Sequence, residues 1–157
     1  MKTFLSIIIA SIISVAITAQ KSNLMSDAVK YSSSVNVNEI IHLDKETFKK
    51  QIFDYENSKE WKYQGSVPAI IDFYADWCSP CRMVAPTLEE LQKDYKGKIQ
   101  IYKVNTQNEK ELAAAFGISG IPAFLFVPLD GEPSMGSGAM PKESFEKYIK
   151  EILKVEK

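Results

Sequence analysis

Two periodicities run along the chain. Residues 37–43 alternate loosely between apolar and polar, and so do 99–104, where Ile99 and Ile101 alternate with Gln100 and Tyr102 and Lys103 precedes Val104. Alternation of this kind predicts strands, the first of them edge-like. Ala69 to Tyr74 is a nearly unbroken apolar run interrupted by Asp72, so 67–75 reads as the buried central strand, with Pro68 tolerated near its start. Residues 123–127 form a fourth strand. Leu129-Asp130-Gly131-Glu132 makes a turn, and 135–138, with two glycines, makes a weak fifth strand.

Between these runs the period changes to that of a helix. Asp44 is a good N-cap, and Leu43 and Phe48 have the spacing of a hydrophobic staple. Phe48, Ile52 and Tyr55 then mark one face of a helix reaching about residue 57. Val84, Leu88, Leu91 and Tyr95 mark a helix over 80–95, with Pro86 inside it and a kink expected near 82–86. Gly97 ends that unit. A short helix over 109–116 has Gly117 as its C-terminal cap. Phe145, Tyr148, Ile149, Ile152 and Leu153 trace the stripe of a final amphipathic helix. Trp61 and Tyr63 lie in a polar connection and read as packing over the edge of the core rather than as partner contacts. The order βαβαβαββα predicts a mixed α/β domain over 37–157. Early strands separated by helices pair in parallel, and the late pair forms an antiparallel hairpin. Helices cover both faces of the central sheet.

The first residues stand apart. Lys2 precedes a run, Phe4 to Ala16, that is apolar except for Ser6, Ser11 and Ser14. Cleavage after Ala19 would make 1–19 a secretory signal peptide, although Ile17 occupies a position where a small residue is preferred. The alternative is an uncleaved membrane anchor, for which this stretch is short against the roughly 20 apolar residues of a spanning helix. No cysteine follows the run, so a lipid attached there is not supported. Residues 20–36, rich in Ser, Asn and Lys, read as a linker. The expected location is exported, in the periplasm.

Composition narrows the function. The chain has 157 residues, enough for one domain with its own core. Lys plus Arg number 19 and Asp plus Glu 20, so no net field draws nucleic acid or an anionic membrane. There are two cysteines, Cys78 and Cys81, at the junction of the central strand and the helix after it. Exported domains use disulfides as staples, but a staple gains from closing a long loop and this pair closes a very short one. Redox chemistry is the better reading, an inert short-loop disulfide the alternative. The single histidine, His42, reads as structural, and two cysteines with one distant histidine cannot close a tetrahedral zinc site. Met135 and Met140 read as packing residues. No cofactor is expected.

Cys78 sits at a helix start, where free backbone N–H groups and the helix dipole favour a thiolate. Cys81, a turn inside and covered by the helix, would be the resolving thiol. Pro80 stiffens the turn between them. Asp72, in the middle of an apolar strand, should be buried with a raised pKa. A core acid satisfied by its neighbours is the alternative to a working one.

Trp77-Cys78-Ser79-Pro80-Cys81, with Asp72-Phe73-Tyr74-Ala75 before it and Arg82-Met83-Val84-Ala85-Pro86 after it, resembles the active-site segment of the thioredoxin family. Gly117-Ile118-Ser119-Gly120-Ile121-Pro122-Ala123 resembles that family's cis-proline segment. Lys103-Val104-Asn105 is similar to its third-strand lysine segment, and Gly138-Ala139 to its late glycine. The similarity covers roughly 37–153. It implies the thioredoxin fold, a cis bond at Ile121–Pro122, and thiol–disulfide exchange on disulfide-bonded protein substrates. In the family's pattern Asp72 takes the proton of Cys81 and Lys103 pairs with Asp72. Trp77, Ser79, Pro80, Ile121, Pro122 and Gly138 would line the substrate groove, Ile121 offering its backbone. The chain departs from the family at Tyr74, where Trp is usual, and at Ser79, where Gly is usual; the pair between the cysteines tunes the redox potential.

A monomeric protein-disulfide reductase is therefore expected, fed by an unidentified membrane or soluble electron donor. An exported disulfide oxidant or isomerase is the first alternative. The second is a chaperone-like binding module that uses the groove around Trp77 and Pro122 without chemistry.

Overall fold

The structure, a computed structural model, describes residues 39–157. The leader over 1–19, the linker over 20–36 and the domain start at Val37 lie outside the described residues. Five strands and four helices follow in the expected order. They are β1 (Ile41–Leu43), α1 (Lys45–Gln51), β2 (Ala69–Tyr74), α2 (Ser79–Asp94), β3 (Gln100–Asn105), α3 (Lys110–Ala115), β4 (Ala123–Val127), β5 (Ser134–Ser137) and α4 (Lys142–Glu151). The sheet order is β1-β3-β2-β4-β5. Both pairings of β3 are parallel, and those of β4 with β2 and with β5 are antiparallel. β2 is thus the middle strand and β1 an edge.

Strand alternation sorts the core into two halves. Ala69, Ile71 and Phe73 of β2 join Tyr102, Val104, Leu125 and Val127 on one face, under Phe48 and Ile52 at α1 and Leu112 of α3. Ile70, Ile101, Phe124 and Phe126 form the other, under Val84, Leu88 and Leu91 of α2 and Phe145 and Ile149 of α4. Trp61 and Tyr63 pack at the edge of the first half, as expected of aromatics in a polar connection.

Local chemistry explains most element ends. Asp44 caps α1 in a capping box: its carboxylate accepts from the Thr47 N–H at 2.8 Å, and the Thr47 hydroxyl oxygen accepts from the Asp44 N–H at 2.9 Å. α1 ends at Gln51, well short of residue 57. The Phe53 N–H bonds the Phe48 carbonyl at 3.2 Å, and the Gln64 N–H returns to the Ile52 carbonyl at 2.9 Å. That fold-back frees Phe53, Tyr55 and Trp61 to pack on Phe116 and one another, burial that a continued helix would forgo. α3 closes with a Schellman motif. Gly117 at φ 65° lets its N–H reach the Ala114 carbonyl at 3.0 Å and the Ile118 N–H reach that of Ala113 at 2.9 Å. α2 is one element through Pro86.

Candidate active site

β2 runs into the site. The chain turns after Ala75, and the Cys78 N–H bonds the Ala75 carbonyl at 3.1 Å. Cys78 is then the N-cap of α2, in extended conformation. Its sulfur accepts from the Cys81 N–H at 3.2 Å, which satisfies one of the free donors of the first turn. Pro lies in that turn and no carboxylate does, so the positive end of the helix faces Cys78 without an acid of the first turn to offset it. The Arg82 guanidinium donates to the Asp76 carbonyl at 2.9 Å and pins the turn from outside. The two cysteines are joined, with Cα atoms 5.3 Å apart. Both are almost fully buried, so position along the helix, rather than exposure, separates their roles.

Beyond the disulfide lies a groove. The Ile121–Pro122 bond is cis. Ile121 packs, with Tyr74, against the cluster of Ala75, Cys78 and Cys81. Gly138, at φ 82°, donates its N–H to the Pro122 carbonyl at 2.8 Å, a conformation that suits glycine alone. A hollow of about 250 Å³ is lined by Ser119, Ile121, Pro122, Met135, Ser137 and Gly138. A second one connects Ile121 to Trp77 and Lys110. Trp77 and Met83, before and after the cysteine pair in the chain, are each about two-thirds exposed (66% and 67%).

Asp72 sits on β2 with 1% of its surface exposed. Lys103 Nζ approaches its Oδ2 at 3.5 Å, while its Oδ1 finds no hydrogen-bond donor among the described residues. Burial pushes its pKa up to about 6, with Lys103 pulling the other way. A carboxyl group in that range can take and return a proton near neutral pH.

A family model described as thioredoxin matches residues 39–151. The chain belongs to the thioredoxin family. It is 45% identical over 112 residues to the thioredoxin of Borreliella burgdorferi, covering 71% of this chain and 96% of that one. It is 36% identical over 107 residues to thioredoxin 1 of a Nostoc species, covering 68% and 91%. A chloroplastic M-type thioredoxin of Spinacia oleracea is 39% identical over 106 residues, 59% of its length. The crystal structure of chloroplastic thioredoxin z shares the fold at a TM-score of 0.62 and 20% identity, over 74% of this chain and 96% of that one. With its Cys78–Cys81 pair, this thioredoxin is a thiol–disulfide oxidoreductase of the disulfide-reductase family, and its substrates are disulfide-containing proteins.

The thioredoxin fold joins Cys78 to Cys81 at the start of α2 and pairs Asp72 with Lys103 across two neighbouring strands, with Tyr74 at the end of β2 packed against the cysteines. It places Trp77, Ile121, Pro122 and Gly138 around the groove, and Ser79 and Pro80 on the exposed first turn of α2. Two residues stand elsewhere than their sequence reading. Met135, expected to pack, is 39% exposed and lines the groove: it shares the face of its partner Leu125, but on the edge strand β5 it stays partly uncovered. His42, expected to be remote and structural, lies 3.4 Å from the Tyr74 hydroxyl. Only the parallel pairing of β1 with β3 brings it there, and nothing local to residue 42 signals it. Met83 has no motif of its own; its place one residue after Arg82, off the Val84 stripe, is the sequence signal for its exposure.

Proposed function

We propose that the protein works as a reductant of protein disulfides outside the cytoplasm. The observation that carries this reading is the joined Cys78–Cys81 pair at the N-terminus of α2, directly after the strand that holds a buried carboxyl group paired with a lysine. In the dithiol form the Cys78 thiolate attacks one sulfur of a substrate disulfide. A mixed disulfide forms, and the other substrate sulfur leaves as a thiolate that takes up a proton. Asp72 accepts the proton of Cys81. The Cys81 thiolate then attacks Cys78 Sγ, and the second substrate thiol departs. Two electrons pass to the substrate, and the protein is left in the disulfide form that the structure shows. An electron donor must restore the dithiol; we assign that task to a membrane or soluble partner.

Trp77, Ile121, Pro122 and Gly138 shape the docking groove in this reading, with Ser79 and Pro80 presented to the substrate on the exposed first turn of α2. The apolar Trp77 and the free groove backbone suit an extended, unfolded stretch of substrate. Export follows from the leader pattern at 1–19, with the periplasm as its compartment. The protein acts as a monomer in this reading, with the exposed Trp77 given to substrate docking.

Insulin reduction with dithiothreitol tests the chemistry. Cys78→Ser should fall to background, and retention of full activity would remove the enzyme reading. Cys81→Ser should trap substrates as mixed disulfides. The equilibrium potential decides direction: about −270 mV, the value known for thioredoxin itself, marks a reductant, and about −120 mV marks an oxidant. The mass of the mature protein from secreting cells tests cleavage after Ala19.

A further inference from the structure

Tyr74 stands between the disulfide and a row of charged groups. On one side it packs against Ala75, Cys78 and Cys81. On the other, the Lys103 ammonium lies over its ring, 4.3 Å from the centroid. Its hydroxyl is 3.4 Å from His42 Nδ1, and the two rings meet edge to face with centroids 6.0 Å apart. Strand register builds this arrangement. His42 is the partner of Lys103 across β1 and β3, and Lys103 is the partner of Asp72 across β3 and β2. His42, Lys103 and Asp72 therefore form one row over three strands, and Tyr74, two residues past Asp72, shares their face.

The ion pair alone does not fix this row. At 3.5 Å the Lys103–Asp72 contact is at the outer limit of a hydrogen bond, and a lysine stem has many rotamers. An aromatic face under the ammonium restricts it and attracts it. We infer that Tyr74, braced by His42, is a positioning residue whose ring holds the Lys103 ammonium beside Asp72 and so governs the protonation of that carboxyl group in the resolving step. The inference rests on the reading of Asp72 as proton acceptor for Cys81. Tyrosine does at this position what a phenyl ring cannot, because its hydroxyl reaches across β3 to β1. The other charged groups facing the row are few. Asp76 follows β2 and accepts from the Asn105 amide at 3.3 Å. Glu89 and Lys93 face the hollow beside His42 and Lys103 from α2, and Glu39 faces it from ahead of β1.

The test titrates the Asp72 carboxyl carbon by NMR in the full-length disulfide form. Lys103→Met serves as the reference and should raise the midpoint, because a positive charge is lost. Tyr74→Leu should raise it in the same direction. Tyr74→Phe and His42→Ala, which keep a ring under Lys103, should raise it by less, and the acid limb of the insulin-reduction pH profile should move with each. A Tyr74→Leu midpoint equal to wild type, with Lys103→Met shifted, overturns the positioning role. An unmoved Lys103→Met midpoint overturns it too, since Lys103 would then have nothing to transmit. Asp72→Asn with the wild-type exchange rate would instead sink the acceptor reading while leaving the titration result in place.

Discussion

Under α1 and α3 the strands pack an apolar cluster, Leu43, Ala69, Ile71, Phe73, Val104, Ala123, Leu125 and Val127 with Tyr102, and the buried polar residue in that register, Gln100, lies at the start of β3 opposite Ala69. Under α2 the same strands begin in the same way, with Ile70, Ile101, Phe124 and Phe126, and then change character. Toward the cysteines the facing positions are Asp72, Lys103, Tyr74 and His42. One strand serves both: β2 gives Ile71 and Phe73 to the first face, and Ile70, Asp72 and Tyr74 to the second. The difference separates two costs. The first face holds the fold together through buried area. The second gives up part of that stabilisation to keep a carboxyl group out of water, where its pKa rises toward the working range. A sheet with both faces like the first would be more stable and would have no proton acceptor.

Four substitutions test that contrast. The largest effect is expected on the first face. Phe48→Ala removes a fully buried ring and should cost about 3–5 kcal/mol. Urea unfolding measures this, and the exchange rate of the folded fraction should stay close to wild type; a mild stability loss with a large rate loss would break the division.

Asp72→Asn should act in the opposite sense. The raised pKa means that the folded state favours the protonated carboxyl group. Stability from this group is fully present below the unfolded value of 3.8 and is lost as pH rises to about 6. At pH 7.5 the neutral amide should therefore be more stable than wild type by roughly 3 kcal/mol, the equivalent of the shift at about 1.36 kcal/mol per unit. The gain should vanish by about pH 4, and exchange should be slowed. A constant gain from pH 4 to 8 in urea titrations would show that ionisation is not its cause.

Gly117→Ala forces a Cβ into the left-handed region without any steric contact. A loss of about 1 kcal/mol is expected, purely conformational; a thermal melt showing a much larger loss would mean that the α3 cap also positions the Ile121 segment. The smallest stability effect is expected at Trp77→Ala, within about 0.5 kcal/mol for so exposed a side chain. The KM for insulin should nonetheless rise several-fold while turnover of a small disulfide is kept. Equal losses on both substrates would place Trp77 in the chemistry rather than in docking.

Element order was legible because each element carries its own period. The boundaries that failed were those where distant burial outbid local pattern. Tyr55 has helical spacing from Phe48 and Ile52, yet it packs on Phe116 from beyond the helix. The cysteine pair, Asp72, Lys103 and the proline segment were legible as motifs. His42 was not, since its meaning depends on a strand it joins about sixty residues later in the chain. Met135 and Met83 carry no motif, and their exposure is decided by what the rest of the fold leaves uncovered on an edge strand and on the outer side of α2.

Sequence by itself determined the local chemistry of this thioredoxin. It set two thiols at a helix start, an acid in an apolar strand, a proline after Ile121, and capping at Asp44 and Gly117. These are properties of neighbours along the chain, and short-range sterics and hydrogen bonding are enough to read them. Tertiary structure alone decided which of those groups meet. The parallel register of β1, β3 and β2 lines up His42, Lys103 and Asp72, and the turn after β2 sets Tyr74 between that row and the disulfide. Register is a long-range choice made by the burial of both sheet faces at once, so no single segment encodes it.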